Sequence, residues 1–197
     1  MACNTVSGRL VSCKDSVGGI IKVYLAPYKF NFATDWVLAT NNNGLIDTLA
    51  NSDELWQFDV RPNSSSYTSN ITTDPATGST AVEQVAELAF HKITDDDFKM
   101  LQAVIVGRFQ AFVLDANHNV HCMGYFWGAE CSGGAMVTGQ AKGDMSGFNI
   151  TLTANEPRNI AVKRGGGIPG TSNYPFDGLS YSVGASLTLS AGTYPTL

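Results

Sequence analysis

The sequence predicts a mainly β fold: a β-sandwich or barrel with one short flanking α-helix at about residues 94–106 and extended terminal arms. The chain has 197 residues, with 20 glycines beside abundant Asn, Ser and Thr, a composition that favours turns and strands over helical bundles. Apolar and polar residues alternate in several short segments, as they do in half-buried strands. One segment alone combines helix start signals, an apolar face and a glycine stop.

The first strand candidates lie in the N-terminal third of the chain. "GGIIKVYLAPY" (18–28) predicts a strand that ends at Pro27. "DWVLAT" and "GLIDTLA" flank the turn "NNNG", in which Asn and Gly accept left-handed backbone angles at little cost. "ELWQFDVRP" alternates, so Trp56, Phe58 and Val60 are expected on one face of a half-buried strand. The polar stretch 63–80 predicts either a loop or a solvent-facing hairpin.

The segment "AVEQVAELAFHK" predicts a long strand, although a helix remains an alternative for it. As a strand it places Glu83 and Glu87 on a polar face. "TDDDFKMLQAVIV" predicts the helix: Thr94 is a good N-cap, and the aspartates that follow complement the positive end of the helix dipole. Its apolar face is expected to contain Phe98, Leu101 and Ile105, with Gly107 after the last turn.

The next segment, "FQAFVLDANHNVHCMGYFWG", predicts a hairpin with an apolar first strand, a turn at residues 115–119 and an aromatic second strand that includes residues 125–127. A Gly-rich link follows. In "SGFNITLTAN", apolar and polar residues alternate without a fault over 148–155, so this is the clearest strand in the chain.

Two regions are predicted along the chain. Residues 1–163 form the β domain, with residues 1–18 as an N-terminal arm. Residues 164–197 are rich in Gly and Ser and predict a linker followed by a C-terminal arm or hairpin.

Charge and cysteines restrict the classes of function. The formal net charge of −5 argues against a grip on nucleic acid, which needs a basic face. Charged residues make up only 15% of the chain, which favours a surface partly covered by partners. Cys3, Cys13, Cys122 and Cys131 match no common zinc spacing and are expected to be reduced thiols. We expect no signal peptide and no membrane span.

The stretch "GDMSG" lies one insertion away from the Gly-Asp-Ser-Gly signature of trypsin-like serine proteases, which raises Ser146 as a candidate nucleophile. His91 would have to act as its base. However, Met145 displaces the serine from its motif position, and Ser146 comes directly before the clearest strand. We therefore expect a turn residue rather than a catalytic one.

For each of the other candidate motifs, a structural role explains the residues better than a binding role does. The run Asp115-x-Asn117-x-Asn119 resembles the start of a calcium loop but lacks its later ligands. His121 and Cys122 of "HNVHC" point to opposite faces of a strand and cannot share an ion. The aspartates at 95–97 are explained by helix capping, and "KRGGGIPGTS" lacks the end of a phosphate loop. We predict no catalytic, cofactor or metal site, and hence no enzyme.

The order of elements from 81 to 163 resembles that of bacteriophage major tail (tail tube) proteins. The shared order is a long strand, a short helix, a strand with a turn, an aromatic strand with Gly, a Gly-rich loop and a closing strand. Residues Gly143 to Pro157 are similar to the family pattern GD-x-x-G-(aromatic)-x-(aliphatic)-T-(aliphatic)-T followed by Glu-Pro. The start "GRLVSCKDSVGGIIKVYLA" looks like that of phage virion proteins, and the resemblance covers roughly residues 1–163.

This resemblance implies a virion structural protein, assembled in the host cytoplasm. Six copies would form a ring through their long strands, and stacked rings would form a tube for genome delivery. Its partners would be copies of itself and other tail or virion proteins, while DNA passes without specific binding. Glu83 and Glu87 would then face the lumen, or else solvent on an outer sheet. The alternative function is a capsid-decorating or adhesin-like β-module that binds a surface ligand near Tyr125 and Trp127.

Overall fold

The computed structural model describes residues 16–28, 36–38, 46–49, 55–60, 63–92, 94–159 and 181–183. The N-terminal arm up to residue 15, with Cys3 and Cys13, lies outside the described residues. So do the proposed boundary near residue 164 and most of the C-terminal region.

Eleven strands and one helix are present in the described part of the chain. The first six strands are β1 (Ile20–Pro27), β2 (Trp36–Leu38), β3 (Ile46–Leu49), β4 (Leu55–Asp59), β5 (Ser66–Asp74) and β6 (Ser79–His91). The helix α1 (Asp95–Val106) follows. The remaining strands are β7 (Arg108–Asp115), β8 (Val120–Met123), β9 (Ala129–Val137), β10 (Gly147–Glu156) and β11 (Tyr181–Val183).

Nine strands form one sheet in the order β11-β4-β1-β7-β9-β10-β6-β5, with β8 also paired to β7, and β2 and β3 form a separate pair. All neighbours run antiparallel except β11, which runs parallel to β4. The prediction of a mainly β fold with one short helix is confirmed. The sheet stays open, ending at β5 and β11 among the described strands, so it is not a barrel.

The connection between β7 and β9 is short, because these strands share only two residue pairs. We call β9, β10, β6 and β5 the β6 half, and β8, β7, β1, β4 and β11 the β7 half. Both halves contribute to one buried cluster, with Leu88 and Ile150 from the first and Val23 and Val113 from the second. The two halves therefore face each other across a shared core, as the layers of a sandwich do.

A second cluster covers the other face of the β7 half. Tyr24, Phe112 and Leu114 belong to it, and all three are almost fully buried. Strand β7 is thus buried on both faces, which explains why its sequence is a nearly continuous apolar run rather than an alternating one.

The helix begins as predicted, since the Thr94 carbonyl accepts the Phe98 amide at 3.1 Å. Its predicted apolar face is partly wrong. Leu101 and Val104 enter the core, whereas Phe98 and Ile105 are 44% and 54% exposed. The apolar stripe of this helix is wider than its contact with the sheet, and Val104 lies nearer the centre of that contact than Phe98 does.

The predicted hairpin forms, since β7 pairs with β8 around the turn at 115–119, but the extension of its second strand through the aromatic residues is wrong. Strand β8 ends at Met123, and residues 125–127 lie in a loop between Gly124 and Gly128, whose φ angles are 70° and 81°. A Cβ on Gly124 would overlap the Ala129 backbone nitrogen, so this turn requires glycine. The region between the loop and residue 138, which the sequence presents as a Gly-rich link, forms strand β9.

The polar stretch 63–80 is a hairpin. Strand β5 pairs with β6 over nine residue pairs, and Asp74 closes the turn by accepting the Ala76 amide at 2.9 Å. The solvent-facing hairpin is therefore the correct one of the two alternatives.

Candidate functional site

The outer surface of the β6 half is mostly polar, with Val85 and Ala89 between its polar side chains. Glu83 pairs with Asn70 and Asn155 on the neighbouring strands, and Glu87 pairs with Ser66 and Thr151. Cross-strand partners project from the same side of a sheet, so both carboxylates belong to one surface. We define the polar face as Thr68, Asn70, Glu83, Glu87, Asn149, Thr151, Thr153 and Asn155.

Carboxylates predominate on the polar face. Glu83 and Glu87 are exposed, and four residues of strand separate them by on the order of 13 Å. Glu130 of β9 pairs with Thr153 and borders the face, and its carboxylate forms an ion pair with Arg108. The structure thus confirms that the two glutamates lie together on the outer side of a long strand, with the core on the other side.

Two strand margins border the polar face. Strand β5 ends the sheet, and β9 pairs with β7 only at Ala129 and Glu130, so beyond that point its second side has no strand partner among the described residues. Natural edge strands usually carry Lys or Pro to prevent pairing with another chain. Neither "SYTSNITTD" of β5 nor "AECSGGAMV" of β9 contains either residue. Strand β9 does have a register shift between Cys131 and Gly133, and outside that shift both margins are suited to pairing with further strands.

The aromatic loop, residues 124–128, is held rigidly. Glu156 is buried and accepts the Phe126 amide at 3.0 Å and the Trp127 amide at 3.1 Å. The Tyr28 hydroxyl donates to the Phe126 carbonyl at 2.6 Å, and the Arg158 guanidinium lies 5.3 Å from the Phe126 ring centroid. Trp127 remains 56% exposed on this fixed loop. Such a preorganised aromatic side chain is typical of a contact point for another molecule.

Burial raises the pKa of Glu156 above its ordinary value, although the Trp127 and Phe126 amides act in the opposite direction. Burial also raises the pKa of the neighbouring Cys122 thiol, and the Glu156 charge adds to that effect. Cys122 and the half-buried Cys131 are free thiols. A thiol with a raised pKa is a poor nucleophile, so Cys122 is a core residue.

Gln84 provides a second buried polar contact between the two halves of the sheet. Its side-chain oxygen accepts the Gly124 amide at 3.0 Å, and its nitrogen donates to the Cys122 carbonyl at 3.3 Å. The sequence analysis missed both Gln84 and Glu156. A signal was present: each is the polar residue at an inward position of an otherwise apolar alternation, at 82–88 and at 148–156 respectively.

The residues of the protease-like stretch make turn contacts. Asp144 accepts the Gln140 and Ala141 amides at 2.9 and 2.7 Å, and these hydrogen bonds lower its pKa. Ser146 is exposed, and its carbonyl accepts the Lys92 amide at 2.9 Å. His91 pairs with Gly147 at the same end of the sheet. Asp144 is thus committed to its own loop and does not orient a histidine.

The calcium-like run is a hairpin turn organised by Asp115. Burial raises the pKa of Asp115, but hydrogen bonds from Asn119, His121 and the Asn117 amide outweigh it and leave the pKa lowered. His121 lies beside Asp115 at 3.1 Å, while Cys122 points into the second core cluster, so these neighbours face opposite ways as predicted. Within the described residues no three His, Cys, Asp or Glu side chains come together as metal ligands.

Asp95 is exposed at the start of α1, and the glycine-rich stretch 163–172 lies outside the described residues. In the part of the chain that the structure describes, no helix is both long and apolar enough to cross a membrane. Comparison of the chain with protein-family models, curated proteins and solved structures found no match.

Proposed function

We propose that this chain is a virion structural protein that self-assembles into stacked rings, which form a phage tail tube for genome delivery. The observation that carries the proposal is the β6 half: four strands with a polar, acidic outer face and two margins without protective residues. In the assembly, the β5 margin of one copy pairs with the β9 margin of the next. In a closed ring each margin forms backbone hydrogen bonds with the next copy, whereas in a single copy the described strands leave these margins without a strand partner.

The polar face supports a role as the inner wall of a channel. A duplex carries closely spaced phosphates, so a wall on which carboxylates predominate, and whose bordering Arg108 is paired with Glu130, repels it weakly. In this proposal Glu83 and Glu87 face the lumen and DNA passes without specific binding. The other partners are tail or virion proteins, and the site of assembly is the host cytoplasm. Neither a cofactor nor a catalytic step is involved.

Assembly is tested by placing a charge on the β5 margin. Ile71 lies on this edge strand and is 65% exposed, so Ile71→Lys should leave the fold intact. A lysine on an edge strand opposes strand addition, and we expect the concentration needed for rings or tubes to rise about tenfold or more. The measurement is negative-stain microscopy together with light scattering over a concentration series.

The matched control is Val106→Lys. Val106 is 77% exposed at the end of α1 and does not belong to a strand edge, so the same chemical change opposes no strand pairing and should leave assembly as in the wild type. Normal tubes from Ile71→Lys, or a wild-type protein that stays monomeric at every concentration, would contradict the proposal.

The lumen assignment is tested separately on assembled tubes. We expect a cryo-electron microscopy map to show Glu83 and Glu87 on the inner wall, because the polar face is the only described surface that both margins border. A tube in which both carboxylates lie on the outside would retain self-assembly but overturn their role in the channel.

The second candidate function is a capsid-decorating or adhesin-like β-module. The exposed Trp127 on its rigid loop favours it, since a fixed aromatic side chain binds a partner with little loss of conformational freedom. Discrete particles instead of rings, together with loss of virion or cell binding in Trp127→Ala, would support this function over the tube.

A further inference from the structure

A cavity of about 400 Å³ lies where the two halves of the sheet meet beside β5. Its apolar lining includes Ile20 and Val113, and Tyr67 of β5 and His121 of β8 border it from opposite halves. The volume is within the range of about 300–1,000 Å³ that small-molecule sites occupy. Glu83, Glu87 and the aromatic loop do not line this cavity, whereas the first residues of β5, Ser66 and Tyr67, do.

Tyr67 and His121 form a joint aromatic surface in the cavity. Their ring centroids are 5.4 Å apart and their planes are tilted by 31°. The Asp115 carboxylate lies 3.1 Å from His121 Nε2 and fixes the orientation of the imidazole. Burial raises the pKa of Tyr67 to about 12, so its phenol is uncharged at neutral pH.

The charges of the described lining disfavour two classes of ligand. Among the described residues no Lys or Arg lines the cavity, so that part of the lining offers phosphate and other anions no cation. Its carboxylate, Asp115, already accepts the Asn117 and Asn119 amides, the Asn119 side chain and His121. That carboxylate has no capacity left for a metal ion or an ammonium group.

The remaining polar side chains are one amide and three hydroxyls. The Asn117 amide is bonded to the Val17 backbone. Ser16 and Ser65 line the cavity, and Ser66 borders it from the strand position that pairs with Glu87. The Ser65 hydroxyl accepts the Ala89 amide at 3.1 Å, so its own proton is directed to another acceptor. Gly18 and Gly19 complete the rim, and a Cβ on either would meet no atom within 4 Å, so this rim borders open space.

We propose that the cavity binds a small neutral saccharide, whose apolar ring face packs on the Tyr67 and His121 rings while its hydroxyls bond to the surrounding serines. Aromatic rings next to hydroxyl groups, without net charge, match a ligand that is apolar on one face and rich in hydroxyls at its rim. The site does not depend on the tube proposal, because every group that forms it belongs to one copy of the chain.

The test uses the full chain and saturation-transfer NMR, which reports on the ligand whether the protein is a subunit or a tube. Glucose, galactose and N-acetylglucosamine are compared with inorganic phosphate and arginine. We expect saturable transfer to at least one sugar and to neither charged compound. His121→Ala and Tyr67→Ala should each weaken sugar binding about tenfold, whereas His91→Ala, an exposed histidine outside the cavity, should not.

A second measurement needs no variant and so remains valid if Tyr67→Ala does not fold. Diethyl pyrocarbonate modifies accessible histidines, and the chain has three, His91, His118 and His121. Saturating sugar should slow modification of His121 alone, as read by mass spectrometry. Equal rates at all three histidines with and without sugar, no sugar that saturates, or displacement of sugar by phosphate would each overturn the assignment.

Discussion

A Gly147→Ala variant is expected to lose about 3 kcal/mol of unfolding free energy, because the position has no room for a single methyl group. A Cβ there would overlap the Phe90 carbonyl oxygen and would lie 3.0 Å from the Phe90 carbonyl carbon and 3.1 Å from His91 Cα. These are backbone atoms of β6, which pairs with β10 over ten residue pairs. Neither strand can retreat without disturbing that register, so the clash is not relieved by a side-chain rotation.

The matched control is Gly133→Ala on the adjacent strand β9, where a Cβ would meet no atom within 4 Å. It should change the unfolding free energy by about 0.5 kcal/mol or less. Ser146→Ala, at an exposed turn residue, should have an equally small effect. Urea denaturation followed by circular dichroism gives all three values. Equal losses at Gly147 and Gly133 would contradict the close approach of β10 to β6.

Asp144, Ser146 and Gly147 of the protease-like stretch "GDMSG" each have a structural role here. Asp144 closes a turn, Ser146 accepts one backbone hydrogen bond, and Gly147 admits β10 against β6. The requirement for glycine therefore comes from strand packing. If Gly147→Ala is strongly destabilising while Ser146→Ala is neutral, the part of the motif that the fold needs is its last residue.

The sequence predicted best those elements in which the spacing of apolar residues matches the residues that are buried. Strand β10 alternates strictly and lies over Gly147–Glu156, and α1 begins after its Thr94 cap and ends before Gly107. The alternation of side chains along β6 also predicted correctly that Glu83 and Glu87 lie on the outer side of the sheet. In these cases local periodicity and tertiary packing agree.

The elements that the sequence did not predict depend on distant partners. Strand β9 contains "SGG" and has weak strand propensity. It nevertheless pairs with β10, because β10 presents backbone amides and carbonyls along its length as hydrogen-bond partners. Tyr67 and His121 both line the cavity. They are far apart in sequence and meet only because the two halves of the sheet share a core. The aromatic loop was missed because residues 125–127 have strand-like side chains but lie between two glycines with positive φ.

The other large effect is expected at Glu156. Glu156→Ala should lose about 3 kcal/mol of unfolding free energy, because the Phe126 and Trp127 amides would remain in the loop without their acceptor, and each unsatisfied buried donor costs about 1–3 kcal/mol. Glu156→Gln keeps one acceptor oxygen and should lose less. Because this side chain accepts the Trp127 amide directly, Trp127 emission should also change in the alanine variant before global unfolding.

The pH dependence gives Glu156 a second signature. Since its pKa is raised in the folded protein, the folded state binds more protons than the unfolded state as pH rises from the ordinary value of 4.5 through the raised pKa. The unfolding free energy should therefore fall across that window and then level off. Asp74, Asp115 and Asp144, whose pKa values are lowered, act in the opposite direction below the ordinary aspartate value. Subtracting the profile of Glu156→Gln, which cannot ionise at this position, removes those contributions. A difference that does not vary with pH would show that the Glu156 carboxylate is not desolvated, and the clamp on the aromatic loop would then need another explanation.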